Sequence, residues 1–197
     1  SYKTPLKLQK FLLFYEAFTK VSGENPDFSH LRGYKKGPVF SDVWGDYTKE
    51  RSNFNSEAQH AFASNSVAID TARAEKCAFM VSTMTEKELS DLTHQMNIWK
   101  CKEERIMSGE YQVDLSEGDF NSDDEKLIRT LDAMYPLQLV ENSTIVRLDR
   151  NYFVFTKSDA QHLTEKHFDI LLTLAENEEL HNPVFVNIDD EGRLIVD

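Results

Sequence analysis

The first segment of the chain carries apolar side chains at the spacing of one helical face. These positions are Leu8, Phe11, Leu12, Tyr15 and Phe18. Residues three and four positions apart lie on the same face of an α-helix, so the pattern predicts an amphipathic helix. Thr4 can cap its first turn, and Pro5 at the first helical position loses no hydrogen bond. Gly23 favours the left-handed conformation that ends a helix, so it is the predicted terminator.

The next segment combines helix-breaking residues with a second apolar pattern. Gly33, Gly37 and Pro38 interrupt any regular element. Beyond these breaks, helical spacing is found at Val39, Phe40, Val43, Trp44 and Tyr47. We therefore predict a loop followed by a short helix. Lys35 and Lys36 beside Gly37 suggest phosphate capture, but both glycine-rich phosphate motifs are absent, which favours a purely structural turn.

Two aromatic side chains of this short helix, Trp44 and Tyr47, have two candidate roles. Tryptophan and tyrosine are enriched among the anchors of protein interfaces, so both residues could bind a partner. Packing of both rings against the first helix is the favoured interpretation.

Two alanine-rich stretches follow, residues 56–66 and residues 67–84. Their helical periodicity is patchy, so they predict one broken helix or two successive helices. The next helix has a clearer start, because Thr85 and Glu88 form a T-x-x-E capping box. His94 falls near the end of this helix.

His94 has three candidate roles. At a helix end its ring can hydrogen-bond free carbonyl groups and interact with the negative end of the helix dipole, and this role is favoured. A metal site would need further ligands, but no HExxH motif or i, i+4 histidine pair accompanies it. We do not expect an enzyme. A hydrolase that combines His94 with Cys77 or Cys101 is a further hypothesis, but its nucleophilic thiol would require a lowered pKa, which sequence alone does not reveal.

The segment from residue 116 to residue 125 is an acidic loop that leads into a helix. Ser122 and Glu125 are predicted to form a capping box, and Asp124 suits the positive first turn of the helix. The spacing resembles a calcium-binding loop only in part, because Asp124 stands where the sharp turn requires glycine. We do not expect a calcium site there.

The last third of the chain changes to strand-like patterns. Residues 143–155 predict two short strands around 149–151, and residues 183–197 predict two more around 190–192. We expect these strands to form a four-stranded antiparallel sheet, packed on or tethered to the helical body through a tight junction.

One or two helices are predicted between the two strand pairs. Near-helical spacing is found at Phe168, Leu171, Leu172 and Leu174. The segment from Thr164 to His167 lacks the full capping box, because position 167 is not Glu or Gln.

Composition limits the class of protein. The chain has 197 residues, of which 40% are hydrophobic and 11% aromatic, which is enough for a core without disulfides. No run of about 18 apolar residues and no leader pattern is present, so we expect a soluble, cytoplasmic protein. Cys77 and Cys101 have no CxxC spacing, so neither a disulfide framework nor a zinc site is indicated. We expect no cofactor and no metal.

Charge is distributed unevenly along the chain. The net charge is −12 overall, +2 over residues 1–50 and −13 over residues 101–197. An acidic surface repels phosphate backbones, so nucleic acid is not expected as the main ligand. A basic protein partner is favoured electrostatically, and the alternative is that the charge only keeps the protein soluble.

Three blocks, in this order and spacing, resemble the Panacea domain, the family of SocA-like antitoxins that are also labelled phage-associated proteins. The blocks are TPLKLQKFLLF (4–14), GYKKGPVFSDVW (33–44) and ELSDLTHQMNIWK (88–100). The resemblance covers roughly residues 3–135. This chain departs from the family at Lys36, where tyrosine is usual, and at Ile98, where proline is usual.

The resemblance implies which residues carry the family motifs. The K-L-x-K-L-L pattern falls on residues 7–12, the Y-G-P-V turn on residues 36–39, and the T-H-x-x-x-P-W segment on residues 93–99. The resulting candidates for maintaining the fold or binding a partner are Lys7, Lys10, Tyr34, Lys36, Gly37, Pro38, Trp44, Tyr47, Thr93, His94 and Trp99.

The resemblance also implies a function. Members of the resembled family neutralise a toxin encoded beside them by direct protein contact. In at least one relative, the antitoxin presents the toxin to a protease. We therefore expect an α+β protein with a mainly helical antitoxin domain over residues 1–140 and a small α+β extension over residues 141–197. Its expected partners are a basic protein toxin and a protease, with no membrane partner. The alternative is a phage-derived regulatory or adaptor protein that binds a host protein.

Overall fold

A computed structural model describes residues 4–177 and 179–197. The α-helices are α1 (Pro5–Val21), α2 (Ser41–Lys49), α3 (Arg51–Asn65), α4 (Thr71–Ser82), α5 (Glu86–Gln95), α6 (Asn97–Lys100), α7 (Glu103–Met107), α8 (Ser122–Met134), α9 (Leu137–Asn142), α10 (Lys157–Ala160) and α11 (Glu165–Ala175). The strands are β1 (Leu31–Tyr34), β2 (Gly37–Phe40), β3 (Val113–Asp114), β4 (Ser143–Leu148), β5 (Asn151–Thr156), β6 (Val184–Ile188) and β7 (Leu194–Val196). Short 3-10 turns cover Ser66–Ala68 and Glu117–Asp119. The protein has an α+β fold, as expected.

The first helix begins and ends where its capping signals predict. The Thr4 hydroxyl accepts a hydrogen bond from the Lys7 N–H at 3.3 Å, and Pro5 occupies the first turn. Gly23 follows the helix with a φ of 81°, in the left-handed region. The predicted positions are confirmed because both signals act within a few residues of the helix ends.

A β-hairpin replaces the predicted loop between the first two helices, and it is part of a three-stranded antiparallel sheet. Strands β1 and β2 pair across the turn at Lys35 and Lys36, and β3 joins the other edge of β1. Pro38 is tolerated because β2 is an edge strand, where a missing N–H costs no ladder bond. The short helix is confirmed, but it begins only at Ser41, so Val39 and Phe40 belong to β2.

The central helices match the predicted pattern except at one cap. Helices α3 and α4 are two successive helices, and α5 has the predicted Thr85 and Glu88 capping box. The predicted capping box of Ser122 and Glu125 is wrong. Asn121 caps α8 instead, because its side-chain oxygen accepts from the N–H groups of Asp123 and Asp124 at 3.0 and 3.1 Å.

The C-terminal sheet has the four predicted strands but not the predicted pairing. Its order is β4-β5-β6-β7, and the two outer pairs are antiparallel. The central pair, β5 with β6, is parallel, so the sheet is mixed rather than antiparallel. The chain between β5 and β6 contains α10 and α11, and such a crossover is what a parallel connection requires.

Helix α11 has a full capping box after all. The Thr164 hydroxyl accepts from the His167 N–H, and the Thr164 N–H donates to Nδ1 of the His167 ring at 3.2 Å. A neutral imidazole nitrogen supplies the acceptor that the prediction assigned only to Glu or Gln.

Strand β5 contributes to two clusters of buried apolar side chains. Val154 packs into a large cluster that also contains Phe14, Met80 and Trp99. Its neighbour Phe153 packs into a smaller cluster between the C-terminal sheet and α11. This alternation follows from the two-residue period of a strand. Within the described residues, no helix combines the length and the apolar character needed to cross a bilayer.

Candidate functional site

Lys10 lies where the three sequence blocks meet. Its Nζ donates to the carbonyl oxygen of Lys36 in the β1–β2 turn at 2.9 Å and to the hydroxyl of Thr93 on α5 at 3.0 Å. The Thr93 hydroxyl donates in turn to the carbonyl oxygen of Ser90 at 3.1 Å. We call Lys10, Lys36, Gly37 and Thr93 the Lys10 cluster.

Gly37 makes room for the Lys10 cluster. A Cβ atom at this position would overlap Nζ of Lys10 and would lie 2.7 Å from the hydroxyl oxygen of Thr93. The backbone of Gly37 also has a φ of 103°, which side-chain-bearing residues rarely adopt. Two independent constraints therefore favour glycine at this position.

The side chain of Lys36, at the position where the family that the sequence resembles usually has tyrosine, takes no part in this arrangement. Lys36 takes part through its backbone carbonyl oxygen, which accepts from both Lys10 and the hydroxyl of Ser90. Its side chain is exposed, so a tyrosine or a lysine at this position can present the same carbonyl.

The Lys10 ammonium group is buried, and this burial lowers its pKa from 10.5 to about 7. Removing a charged amine from water favours the neutral form, and a nearby carboxylate would oppose that effect. No carboxylate in the part of the chain that the structure describes forms an ion pair with Lys10. The amine is therefore divided between its two protonation states near neutral pH.

The ring of His94 stacks on the indole of Trp99. The ring centroids are 4.0 Å apart and the interplanar angle is 21°. The indole N–H donates to the carbonyl oxygen of Tyr34 at 2.9 Å, so β1 holds the stacked pair in place. The imidazole Nε2 is buried, and no described residue forms a hydrogen bond with it.

The surroundings of His94 disfavour a positive charge on its ring at the end of α5. Burial lowers the pKa of His94, and the positive charge of Lys10 lowers it further, against the opposing effects of Asp91, Glu103 and the Lys35 backbone. A ring whose charged form is disfavoured gains less from the helix dipole. The lowered pKa therefore weakens the electrostatic part of the favoured prediction for His94, and the ring also stacks on Trp99.

Asp124 ties the segment after His94 to α8. Its carboxylate oxygens accept from the N–H groups of Asn97 at 2.5 Å and Ile98 at 2.9 Å, at the start of α6. Burial raises the pKa of this carboxyl group against these hydrogen bonds. The family that the sequence resembles usually has proline at this position, and proline has no N–H with which to make the contact that Ile98 makes.

An apolar cavity of about 470 Å³ lies beside the Lys10 cluster. It is bounded by α1, the β1–β2 hairpin, α2 and the segment after α7. Its lining includes Gln9, Lys10, Pro38, Trp44, Ile106 and Tyr111. The cavity meets solvent beside Trp44 and Tyr111, which are exposed over 40% and 80% of their surfaces.

The remaining candidate residues occupy different places. Tyr34 and Pro38 line the cavity with Trp44. Lys7 instead contacts the C-terminal sheet, where its Nζ donates to the Tyr152 hydroxyl at 3.3 Å and lies 4.8 Å from the ring centroid. Tyr47 is buried and packs edge-on against Phe54 of α3, with the ring centroids 5.5 Å apart.

The sequence pattern did not identify several residues of the site. Gln9 accepts a hydrogen bond from the Phe40 N–H at 2.7 Å and so joins α1 to β2. Ile106 and Tyr111 reach the cavity from a segment outside the three blocks. The amide side chain of Gln9 within the apolar face of α1 was a sequence signal for a buried polar contact. No local sequence pattern marks Ile106 or Tyr111.

The two thiols have raised pKa values. Burial raises the pKa of Cys77, and burial together with Asp119 raises that of Cys101. Both shifts favour the protonated thiol over the nucleophilic thiolate. Among the described residues, no three His, Cys, Asp or Glu side chains are grouped as a metal site would require.

Glu88 connects α5 to the C-terminal sheet. Its carboxylate completes the capping box of α5 by accepting from the Thr85 N–H at 2.7 Å. The same carboxylate accepts from the side-chain amide of Asn182 at 3.1 Å. Asn182 in turn accepts from the Tyr152 N–H at 2.7 Å, so one short chain of hydrogen bonds joins the two regions.

Comparison with protein-family models, with curated proteins and with solved structures found no match for this chain.

Proposed function

We propose that this protein is an antitoxin that neutralises a cognate protein toxin by direct binding. The observation that carries the proposal is the contact between the three blocks that resemble the Panacea domain. Lys10, Lys36 and Thr93 come from different blocks, separated by 26 and 83 positions from Lys10, and they form one hydrogen-bonded cluster. Motif residues that depend on one another in space support the resemblance better than separate matches do.

The C-terminal region has the surface that a basic partner would bind. Residues 101–197 carry a net charge of −13. Exposed apolar side chains lie among these acidic residues, namely Phe168, Ile170 and Leu172 of α11 and Ile195 and Val196 of β7. Apolar anchors give affinity and the surrounding carboxylates speed the encounter with a basic protein. We place the toxin contact in this region.

Co-expression with the product of the neighbouring gene tests the proposal. The wild-type chain should restore growth and should co-purify with that product, and the complex should weaken as salt rises from 0.1 to 0.5 M because exposed charges are screened. The double variant Phe168→Glu, Leu172→Glu should lose both effects, since it places charge on the anchors.

A matched control separates this loss from misfolding. Phe62→Glu changes a similarly exposed apolar residue on α3, outside residues 101–197, and should keep both effects. A wild-type chain that neither restores growth nor co-purifies would refute the antitoxin proposal. Equal effects of the control and the double variant would refute the assignment of the contact surface.

A further inference from the structure

The cavity beside the Lys10 cluster has the size of a small-molecule site. Its volume of about 470 Å³ lies inside the range of roughly 300–1,000 Å³ that is typical of ligand pockets. Its walls come from rigid elements, because α1 and the β1–β2 hairpin are joined by the hydrogen bond between Gln9 and the Phe40 N–H. The apolar lining of Pro38, Trp44 and Ile106 suits a flat hydrocarbon or aromatic body.

Gln9 supplies a buried polar group without a partner in the wall of this cavity. The side chain is only 1% exposed, and its Oε1 is occupied by the Phe40 N–H at 2.7 Å. This bond identifies the other end of the amide as the donor. The Nε2 atom forms no hydrogen bond with any described residue. A buried donor of this kind is costly unless an acceptor reaches it.

Lys10 supplies a buried positive charge to the same wall. Its Nζ has two hydrogen-bond acceptors, both uncharged, and an ammonium group can donate to a third. Burial without a compensating carboxylate lowers the pKa of this amine to about 7. An anion in the cavity would offset that burial and would favour the protonated amine.

We propose that the cavity binds a small apolar carboxylate, whose acid group lies at the end formed by Gln9 and Lys10 and whose body lies against Pro38, Trp44 and Ile106. The carboxylate supplies the acceptor that Gln9 lacks and the negative charge that Lys10 lacks. Two exposed cations at the β1–β2 turn, Lys35 and Lys36, add to the attraction of an anion, and Glu110, which also lines the cavity, is paired with Arg105. This inference goes beyond the proposed antitoxin function and does not depend on it.

A matched pair of probes tests the inference on the isolated full-length chain. The probes are 2-naphthoate and 2-naphthalenemethanol, which share the aromatic body and differ in charge. Isothermal titration calorimetry should give one naphthoate per chain and at least tenfold weaker binding of the alcohol. At pH 8, naphthoate binding should take up close to one proton, measured from the buffer dependence of the enthalpy, because the bound anion favours protonated Lys10.

Two variants locate the binding. Val39→Trp fills the cavity and should reduce naphthoate affinity at least tenfold, whereas Val67→Trp, at a position that is 97% exposed, should leave it unchanged. Lys10→Met should remove both the preference for the acid over the alcohol and the proton uptake. If Lys10→Met does not fold, the proton uptake of the wild-type chain still tests whether the bound acid favours protonated Lys10.

The opposite results overturn the inference. They are the absence of saturable naphthoate binding up to millimolar concentration, equal affinity for the two probes, or the same affinity in Val39→Trp as in the wild-type chain. The toxin takes no part in these measurements, so failure here leaves the antitoxin proposal untouched. Failure of toxin rescue with intact naphthoate binding would refute only the antitoxin proposal.

Discussion

Gly37 occupies a position at which any Cβ atom would overlap the ammonium group of Lys10. The two residues belong to different sequence blocks and lie in direct proximity in the structure. A glycine lets the hairpin turn approach α1 closely enough for the Lys36 carbonyl oxygen to accept from Lys10 at 2.9 Å. The buried lysine then donates to the same carbonyl oxygen that also accepts from the Ser90 hydroxyl.

Gly37→Ala should therefore destabilise the protein more than a glycine substitution made for backbone reasons alone. Gly23 is the matched control, because its φ of 81° is also left-handed but no atom lies within 4 Å of a Cβ built there. We expect Gly23→Ala to cost about 1 kcal/mol and Gly37→Ala to cost about 1–3 kcal/mol more. Urea unfolding of both variants measures the difference, and equal losses would contradict the overlap.

Lys10→Met should change the pH dependence of stability. The pKa of Lys10 is about 7 in the folded chain against 10.5 ordinarily, so the unfolded chain binds more protons between these values. The free energy of unfolding should therefore rise with pH across this window on account of Lys10. Urea unfolding at pH 7 and pH 9 should show a rise in the wild-type chain that exceeds the change in Lys10→Met by more than about 1 kcal/mol.

The comparison with Lys10→Met is essential because other groups titrate in the same window. The raised pKa of Cys77 acts in the opposite direction, since the unfolded thiol loses its proton first. That contribution is the same in both chains and cancels in the difference. A wild-type stability that falls relative to Lys10→Met as the pH rises would contradict the lowered pKa of Lys10.

Asp124→Ala should destabilise the protein through α6 rather than through its own helix. The substitution leaves the N–H groups of Asn97 and Ile98 without their acceptor, which should cost about 1–3 kcal/mol. Asp123→Ala is the control, because among the described residues this exposed carboxylate forms one ion pair, with Lys126, and the change should stay within about 0.5 kcal/mol. Thermal unfolding followed by circular dichroism separates the two cases, and equal losses would argue against the cap.

The stacked pair of His94 and Trp99 should report the protonation of His94. In Trp44→Phe, Trp99 is the single remaining tryptophan, since the chain contains two. A protonated imidazole quenches an adjacent indole, so fluorescence should fall as the pH falls, with a midpoint below 6.5 because the pKa of His94 is lowered. Adding His94→Phe should remove the transition, and a midpoint above 6.5 would contradict the lowered pKa.

Features set by a few neighbouring residues were predictable from the sequence. Thr4, Gly23 and the Thr85–Glu88 box act on the helix ends beside them, and the structure has each in its expected place. The β1–β2 hairpin was missed because its strands are only four residues long and contain glycine and proline, which also mark loops.

Features that depend on distant partners were not predictable. The parallel pairing of β5 with β6 follows from the packing of the intervening helices, which strand patterns do not encode. Asp124 was predicted as part of the first turn of its own helix. Its carboxylate also caps α6, because it accepts from the N–H group of Ile98, which lies 26 positions earlier in the chain. Lys10 lies in an amphipathic helix where lysine is ordinarily solvated, and only the approach of the hairpin and of α5 buries it.

The carboxylate of Glu88 joins α5 of the helical region to Asn182 beside the C-terminal sheet. It starts α5 and holds Asn182 of the C-terminal region, and the far end of this ten-residue helix carries Thr93 and His94. A helix of that length is a rod of about 15 Å. Because the same helix carries Thr93, which accepts from Lys10, α5 links the hydrogen bonds of Asn182 at one end to the Lys10 cluster at the other.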